Sequence, residues 1–198
     1  MSQKILVCIA PGTEELEAIT TADILIRADY EVTIASAASD GALAMKGANG
    51  ITLTADTKLV DVADDEFDCI VLPGGTEGAG CFRDSTLLIE MVKQQKNDHR
   101  FVAAICAAPA VVLQEHNLYP DARMTCYPSQ EFIDMIPDGN HRVKRVFTDV
   151  LDKLITSQGP GSSLEFAMEI IVQLSGKQKA AEVAAPMVVL PNLHYQPV

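Results

Sequence analysis

Apolar residues in this chain fall into two kinds of run. Residues 4–10 (KILVCIA), 69–72 (CIVL) and 101–105 (FVAAI) are short, nearly all apolar, and lack polar alternation. Such runs suit strands buried on both faces. Residues 14–28 predict a helix, and residues 31–36 the next strand. Two extended pieces within 43–54 flank residues 47–50 in the manner of a hairpin. Residues 85–97 predict a helix with Leu87, Leu88, Met91 and Val92 on one face. Residues 107–115 predict another. Residues 145–148 and 153–156 predict a strand pair across DVLD. After GPGSS, whose serines suit an N-cap, Leu164, Ala167, Met168, Ile171 and Val172 recur at helical spacing. A second helix over 178–185 stops at Pro186. Buried strands alternating with helices imply a parallel sheet covered on both faces, a doubly wound α/β sandwich. Ligands in such sheets sit beyond the carboxyl ends of the strands.

The 198 residues, 48% of them hydrophobic, suit one domain over 1–198. The net charge of −12, with no basic cluster, argues against nucleic-acid binding. No apolar run reaches the roughly 18–20 residues that span a membrane. The N-terminal apolar run reads as a strand rather than a signal peptide. Five cysteines, at 8, 69, 81, 106 and 126, are scattered and form no C-x-x-C pair. That fits the reducing cytoplasm better than a disulfide framework. The four histidines have no ligand spacing, so no metal and no cofactor are expected.

Three strand ends carry unusual residues: PGTEELEA, PGG and Cys106. Cys106 stands where a strand ends and a helical pattern opens. A helix N-terminus there aims N–H groups and a positive dipole end at the sulfur, favouring thiolate below the usual cysteine pKa of about 8.5. Plain packing explains the same cysteine equally well. Glu14 and Glu15 fit a first helical turn that complements the dipole. Glu17 lies on an apolar face with Thr21 and Ile24, so it is expected to be partnered or protonated. A protonated Glu17 near Cys106 can donate to the thiolate and shuttle a proton. An ion pair elsewhere is the alternative. Gly74 and Gly75 make a simple turn, or bare N–H groups for an oxyanion.

Taken together, PGTEELEA, IVLPGG, AAICAAPAVVL and TSQGPGSSLEFA resemble the ThiJ/PfpI superfamily in its Parkinsonism-associated deglycase branch, closest to the bacterial YajL type. The resemblance runs through nearly the whole chain. It implies a flavodoxin-like three-layer sandwich and a homodimer. It implies that Cys106 is the reactive, oxidisable cysteine and Glu17 its protonated partner. Gly74, Gly75 and Ala107 are then the backbone N–H donors of the pocket, and Glu14 its other glutamate. Arg27 matches an interface arginine. Family activities include protein deglycase, glutathione-independent glyoxalase, chaperone and oxidative-stress protector.

Three positions depart from the family pattern. Protease and amidotransferase relatives carry His directly after the cysteine. Ala107 stands there, which argues against peptidase or amidotransferase activity. Tyr127 stands where many deglycase-branch members have His, and tyrosine is a poor base near neutral pH. Asn49 replaces an arginine that some members extend from the partner subunit. Cys126, next to Tyr127, either lies near the site or is simply a buried small residue, and the second reading is preferred.

Two functions follow from the resemblance. One is a cysteine-dependent deglycase or glyoxalase acting on small aldehydes or glycated proteins through a thiohemiacetal. The other is a redox-regulated chaperone or peroxide sensor with unfolded client proteins, in which Cys106 oxidation is the switch. A scaffold with an inactive site is the third possibility.

Overall fold

A computed structural model describes residues 2–188. The buried runs form the centre of a seven-stranded sheet. β1 (Lys4–Ile9), β6 (Cys69–Leu72) and β7 (Phe101–Ile105) lie side by side. β2 (Glu31–Ser36) and the two-residue β5 (Thr57–Lys58) extend one side. β9 (Leu154–Ser157) and then β8 (Val146–Asp149) extend the other. The order is β5-β2-β1-β6-β7-β9-β8, and only β8 runs antiparallel. A small hairpin of β3 (Ala44–Lys46) and β4 (Thr52–Thr54) stands apart, as the glycines at 47 and 50 predict.

Successive side chains on the central strands enter different cores. Leu6, Cys8, Ile70, Leu72, Val102 and Ala104 meet α2 (Thr76–Asp84), α3 (Thr86–Asn97) and the turn at Pro109–Gln114. Ile5, Val7, Cys69, Val71, Ala103 and Ile105 meet α1 (Glu15–Arg27) and α5 (Ser163–Ala184). Burial on both sides explains the missing polar alternation. The result is the flavodoxin-like three-layer arrangement that the resemblance implies.

Several elements differ in detail. The region after Cys106 is a π-helical turn over Pro109–Gln114, wider than a regular α-helix. Proline has no N–H to give an α-helical hydrogen bond. α2 is not evident in the sequence, because two of its nine residues are glycine. α5 breaks at Gly176 (φ 84°), which separates the two predicted C-terminal helices. The GPGSS serines do not cap it. Ser162 Oγ instead donates to Gly159 O at 2.9 Å and pairs with Ser157 Oγ at 2.7 Å. A short α4 (Gln130–Ile133) follows the loop-rich middle.

Candidate active site

Neighbouring parallel strands end on the same rim, so the residues just beyond β1, β6 and β7 converge there. Cys106 follows β7 at once and has φ +64°, a left-handed conformation that costs an L residue about 1–2 kcal/mol. Its N–H donates to Ser157 O on β9 at 2.9 Å, which fixes the backbone through the turn. Ala107 and Ala108 are buried and small enough for the chain to reverse tightly. A sharply turned nucleophile at a strand end presents its side chain above the sheet.

Gly74 and Gly75 follow β6. A β-carbon on Gly74 would lie 2.4 Å from Cys106 Cβ, 2.8 Å from Glu17 Oε2 and 3.0 Å from Cys106 Sγ. Glycine at 74 therefore lets this loop lie directly on the cysteine. Gly75 has φ +86° and packs its α-carbon against the Gly12 carbonyl.

Glu17 is completely buried on α1. Its Oε2 accepts the Gly74 N–H at 2.6 Å, and its Oε1 has no hydrogen-bond partner. The Gly74 N–H, expected to face the reacting centre, is thus committed to Glu17. The Gly75 and Ala107 N–H groups are the ones that bear on the sulfur. Glu14 is the N-cap of α1: its Oε2 accepts the Glu17 N–H at 2.7 Å. Its N–H donates to Gly74 O at 2.9 Å, which ties α1 to the glycine loop.

Burial pushes Glu17 up to about 8. The Gly74 N–H opposes that shift, and the neighbouring Glu14 charge adds to it. Cys106 is pushed up to about 12, first by burial and then by the Glu17 charge, against the pull of the Gly75 and Ala107 N–H groups. The depressed thiol pKa expected from a helix N-terminus is therefore not what these surroundings give. The chain after Cys106 is a wide turn rather than a regular helix start, and an acid stands beside the sulfur. Two neighbouring acids that repel each other's charge titrate as a pair. Protonating Glu17 removes its charge and gives the niche a donor.

This arrangement fixes a pH dependence. Glu17 holds its proton more tightly in the folded chain than at its ordinary value of 4.5. Its stabilising contribution is complete below about pH 4.5 and is lost as pH rises through about 8. Glu17→Gln cannot ionise. Its urea midpoint should vary less between pH 5 and 9 than that of wild type, and it should gain a few kcal/mol on wild type at pH 9. Parallel pH profiles would show that Glu17 is ionised throughout.

The remaining predicted residues divide. Tyr127 is brought to Cys106 through its backbone, its N–H donating to Cys106 O at 2.8 Å. The residue is 43% exposed, and its ring lies over Gly159, edge-on to Phe132. Arg27 is not brought to Cys106 within the protomer. It sits at the far end of α1, roughly 15 Å from Glu17 along the axis, and pairs with Asp23 at 2.8 Å. Cys126 is buried, and burial pushes its thiol up to about 11.

Glu15 matters more than its place in a first helical turn suggests. It is almost fully buried and accepts the N–H groups of Asn49 (2.9 Å) and Ile51 (3.1 Å) and the Asn49 amide (3.0 Å). Burial works to raise its pKa, but hydrogen bonds from its own N–H, Asn49 and Ile51 outweigh that and lower it. The carboxylate thus staples the hairpin tip beside the rim. No local pattern marks it, because its partners lie more than 30 residues away. Glu15→Ala should cost about 2–3 kcal/mol and speed amide exchange at Asn49 and Ile51 ahead of the central strands. Unchanged exchange there would remove the staple role.

Sequence and structure comparisons find known proteins similar to this chain. The DJ-1/PfpI family model matches residues 3–173. Drosophila melanogaster protein dj-1beta is 38% identical, over 97% of this chain and 100% of its own length. Arabidopsis thaliana DJ-1 homolog B is 39% identical over 96% of this chain, which spans only 42% of that relative. Caenorhabditis elegans glutathione-independent glyoxalase DJR-1.2 is 31% identical, over 92% of this chain and 94% of its own. The crystal structure of the VC2308 protein superposes with a TM-score of 0.91 at 42% identity, covering 96% of this chain and 95% of that one. The family-model match over residues 3–173, the likeness to dj-1beta over nearly the whole of both chains and the shared fold lead to one conclusion: the chain belongs to the DJ-1/PfpI family.

Proposed function

We propose that the protein is a cysteine-dependent, glutathione-independent glyoxalase that also acts as a deglycase on aldehyde adducts of proteins. The observation that carries this reading is the partly exposed Cys106 beside the buried Glu17, under the Gly75 and Ala107 N–H groups. The name of the C. elegans relative supports the same reaction class.

The Cys106 sulfur adds to the aldehyde carbon of methylglyoxal. Glu17 gives its proton to the carbonyl oxygen and takes the thiol proton on its other oxygen, so a thiohemiacetal forms with no net charge. Glu17 then moves the C1 proton to C2 through an enediol, which oxidises C1 and reduces C2 within the same molecule. The thioester that results takes up one water and releases lactate and the free thiol. Ala107, in place of His, leaves the site without the Cys–His pair of a peptidase. The test is lactate formation from methylglyoxal with no glutathione present, and purified protein that forms none would overturn the reading.

A second reading rests on the same donors. Peroxide converts the Cys106 thiolate to sulfenic and then sulfinic acid. The Gly75 and Ala107 N–H groups and a protonated Glu17 suit the new oxygens. Redox-gated chaperoning then predicts that suppression of client aggregation changes when Cys106 is oxidised. Equal suppression by both forms would remove it.

The reading includes a homodimer through α1. Leu16, Ile19 and Ile26 lie on one face of that helix, each more than half exposed, and Ile51 (60% exposed) is stapled nearby by Glu15. An apolar stripe of this kind, running from the rim along α1, suits a second copy of the chain. Ile19→Glu should convert a species of twice the chain mass to one of the single mass in light scattering. A wild-type protein of single mass at micromolar concentration would rule the dimer out.

A further inference from the structure

A second cavity opens beyond the carboxyl ends of β2 and β5, apart from the Cys106 niche. Its volume is about 390 Å³. Its walls come from the loop after β2 (Ala37, Ser39), from Lys58, Leu59 and Val60 at the end of β5, and from Cys81 and Leu87 on α2 and α3. It lies at the carboxyl end of the sheet but at its edge, away from the point between β1 and β6 where the strand order reverses. The family activity gives this space no task.

Its chemistry is specific. Ala37, Leu59, Val60 and Leu87 make most of the wall apolar, and Val60 at the rim is 63% exposed. Two charged side chains line it, Lys58 and Asp84. Asp84 is held by a two-pronged Arg83 contact at 2.7 and 3.0 Å, which offsets much of its charge, although that charge still reaches Cys81. Among the described residues the Lys58 ammonium makes no ion pair and no side-chain hydrogen bond. It runs past Gly41, where even a β-carbon would come within 3.5 Å of Nζ. One unanswered positive charge on an apolar wall, in a chain of net charge −12, selects a single negative charge on an apolar body. A dianion would leave one charge uncompensated in a largely apolar space.

We infer that this cavity is a binding site for amphiphilic monocarboxylates, with the carboxylate on Lys58 and the hydrocarbon against Leu59, Val60 and Leu87. Cys81 supplies a built-in reporter. It lines the cavity, is partly exposed, and donates weakly to Pro11 O at 3.7 Å. A bound chain covers it.

The experiment measures iodoacetamide labelling of each cysteine by peptide mass spectrometry, at pH 8.5 and below the micelle concentration of the probe. At ten times Kd only about a tenth of the protein is unoccupied, so octanoate should slow Cys81 labelling about tenfold. Octylamine should not, and Cys106 labelling should be unchanged by either. Lys58→Met, a change at the surface, should remove the protection. Protection that persists in Lys58→Met, or that octylamine matches, overturns the proposal, as does equal slowing at Cys81 and Cys106. Calorimetry gives a second readout: one octanoate site per wild-type chain and none in Lys58→Met. No heat beyond dilution in wild type also overturns it.

Discussion

Replacing Cys106 by serine is expected to lower lactate formation from methylglyoxal by roughly a thousandfold or more, with little change in thermal stability. Serine keeps the shape of the side chain and leaves the Gly75 and Ala107 N–H groups in place. It removes the property the reaction needs. A hydroxyl is far less acidic than a thiol and a poorer nucleophile when neutral. An ester at this position would also release its acid more slowly than a thioester. The fold has little reason to notice: Cys106 makes its positioning contacts through its backbone, to Ser157 O and from the Tyr127 N–H. A coupled lactate assay on both proteins, with a melting curve for each, separates the two effects. Equal lactate from wild type and Cys106→Ser would sink the proposed chemistry, whatever the family does elsewhere.

Gly75→Ala should instead act on the fold, lowering stability by about 3–5 kcal/mol and the melting temperature by roughly 10 °C. The left-handed backbone at φ +86° disfavours any β-carbon. Steric contact matters more than this strain. The new carbon would sit 2.1 Å from Gly12 O and 2.9 Å from Glu14 N. Both are backbone atoms, so neither can swing aside as a side-chain tip does. Relief requires the glycine loop to withdraw from α1, which also pulls the Gly74 N–H off Glu17. The variant should therefore lose activity in step with stability. A melting temperature within 2 °C of wild type would show that the loop has slack the geometry does not suggest.

Much of this architecture is written locally. β1, β6 and β7 are legible because burial on two faces leaves unbroken apolar runs, and the hairpin because glycines bracket its turn. α2 is not legible. Its glycines look like loop residues, yet Gly78 is there because a β-carbon would meet Thr13 Cα at 2.7 Å. Close packing between elements distant in sequence overrides helix propensity. The site follows the same division. Cys106, Glu17, Glu14 and the two glycines are recognisable from motif and pattern. The assignment of each N–H is not, because it depends on which loop lies over which. Gly74 serves Glu17 rather than a substrate for that reason. The thiol's surroundings depend on how near a carboxylate comes, and spacing along the chain carries no such distance. Arg27 shows the converse, a residue matched by motif that the protomer holds far from the cysteine.

The left-handed backbone at Cys106 carries an evolutionary consequence. A residue with φ +64° is less stable there than glycine would be, so the position is occupied at a standing cost to the folded state. Stability alone disfavours a cysteine there, and under the proposed function the need for its sulfur offsets that cost. A descendant lineage released from the chemistry should lose this residue early, with glycine among the favoured replacements, while the buried strands on either side drift slowly. Under the proposed function, position 106 is a marker by which living and abandoned copies of the site can be told apart.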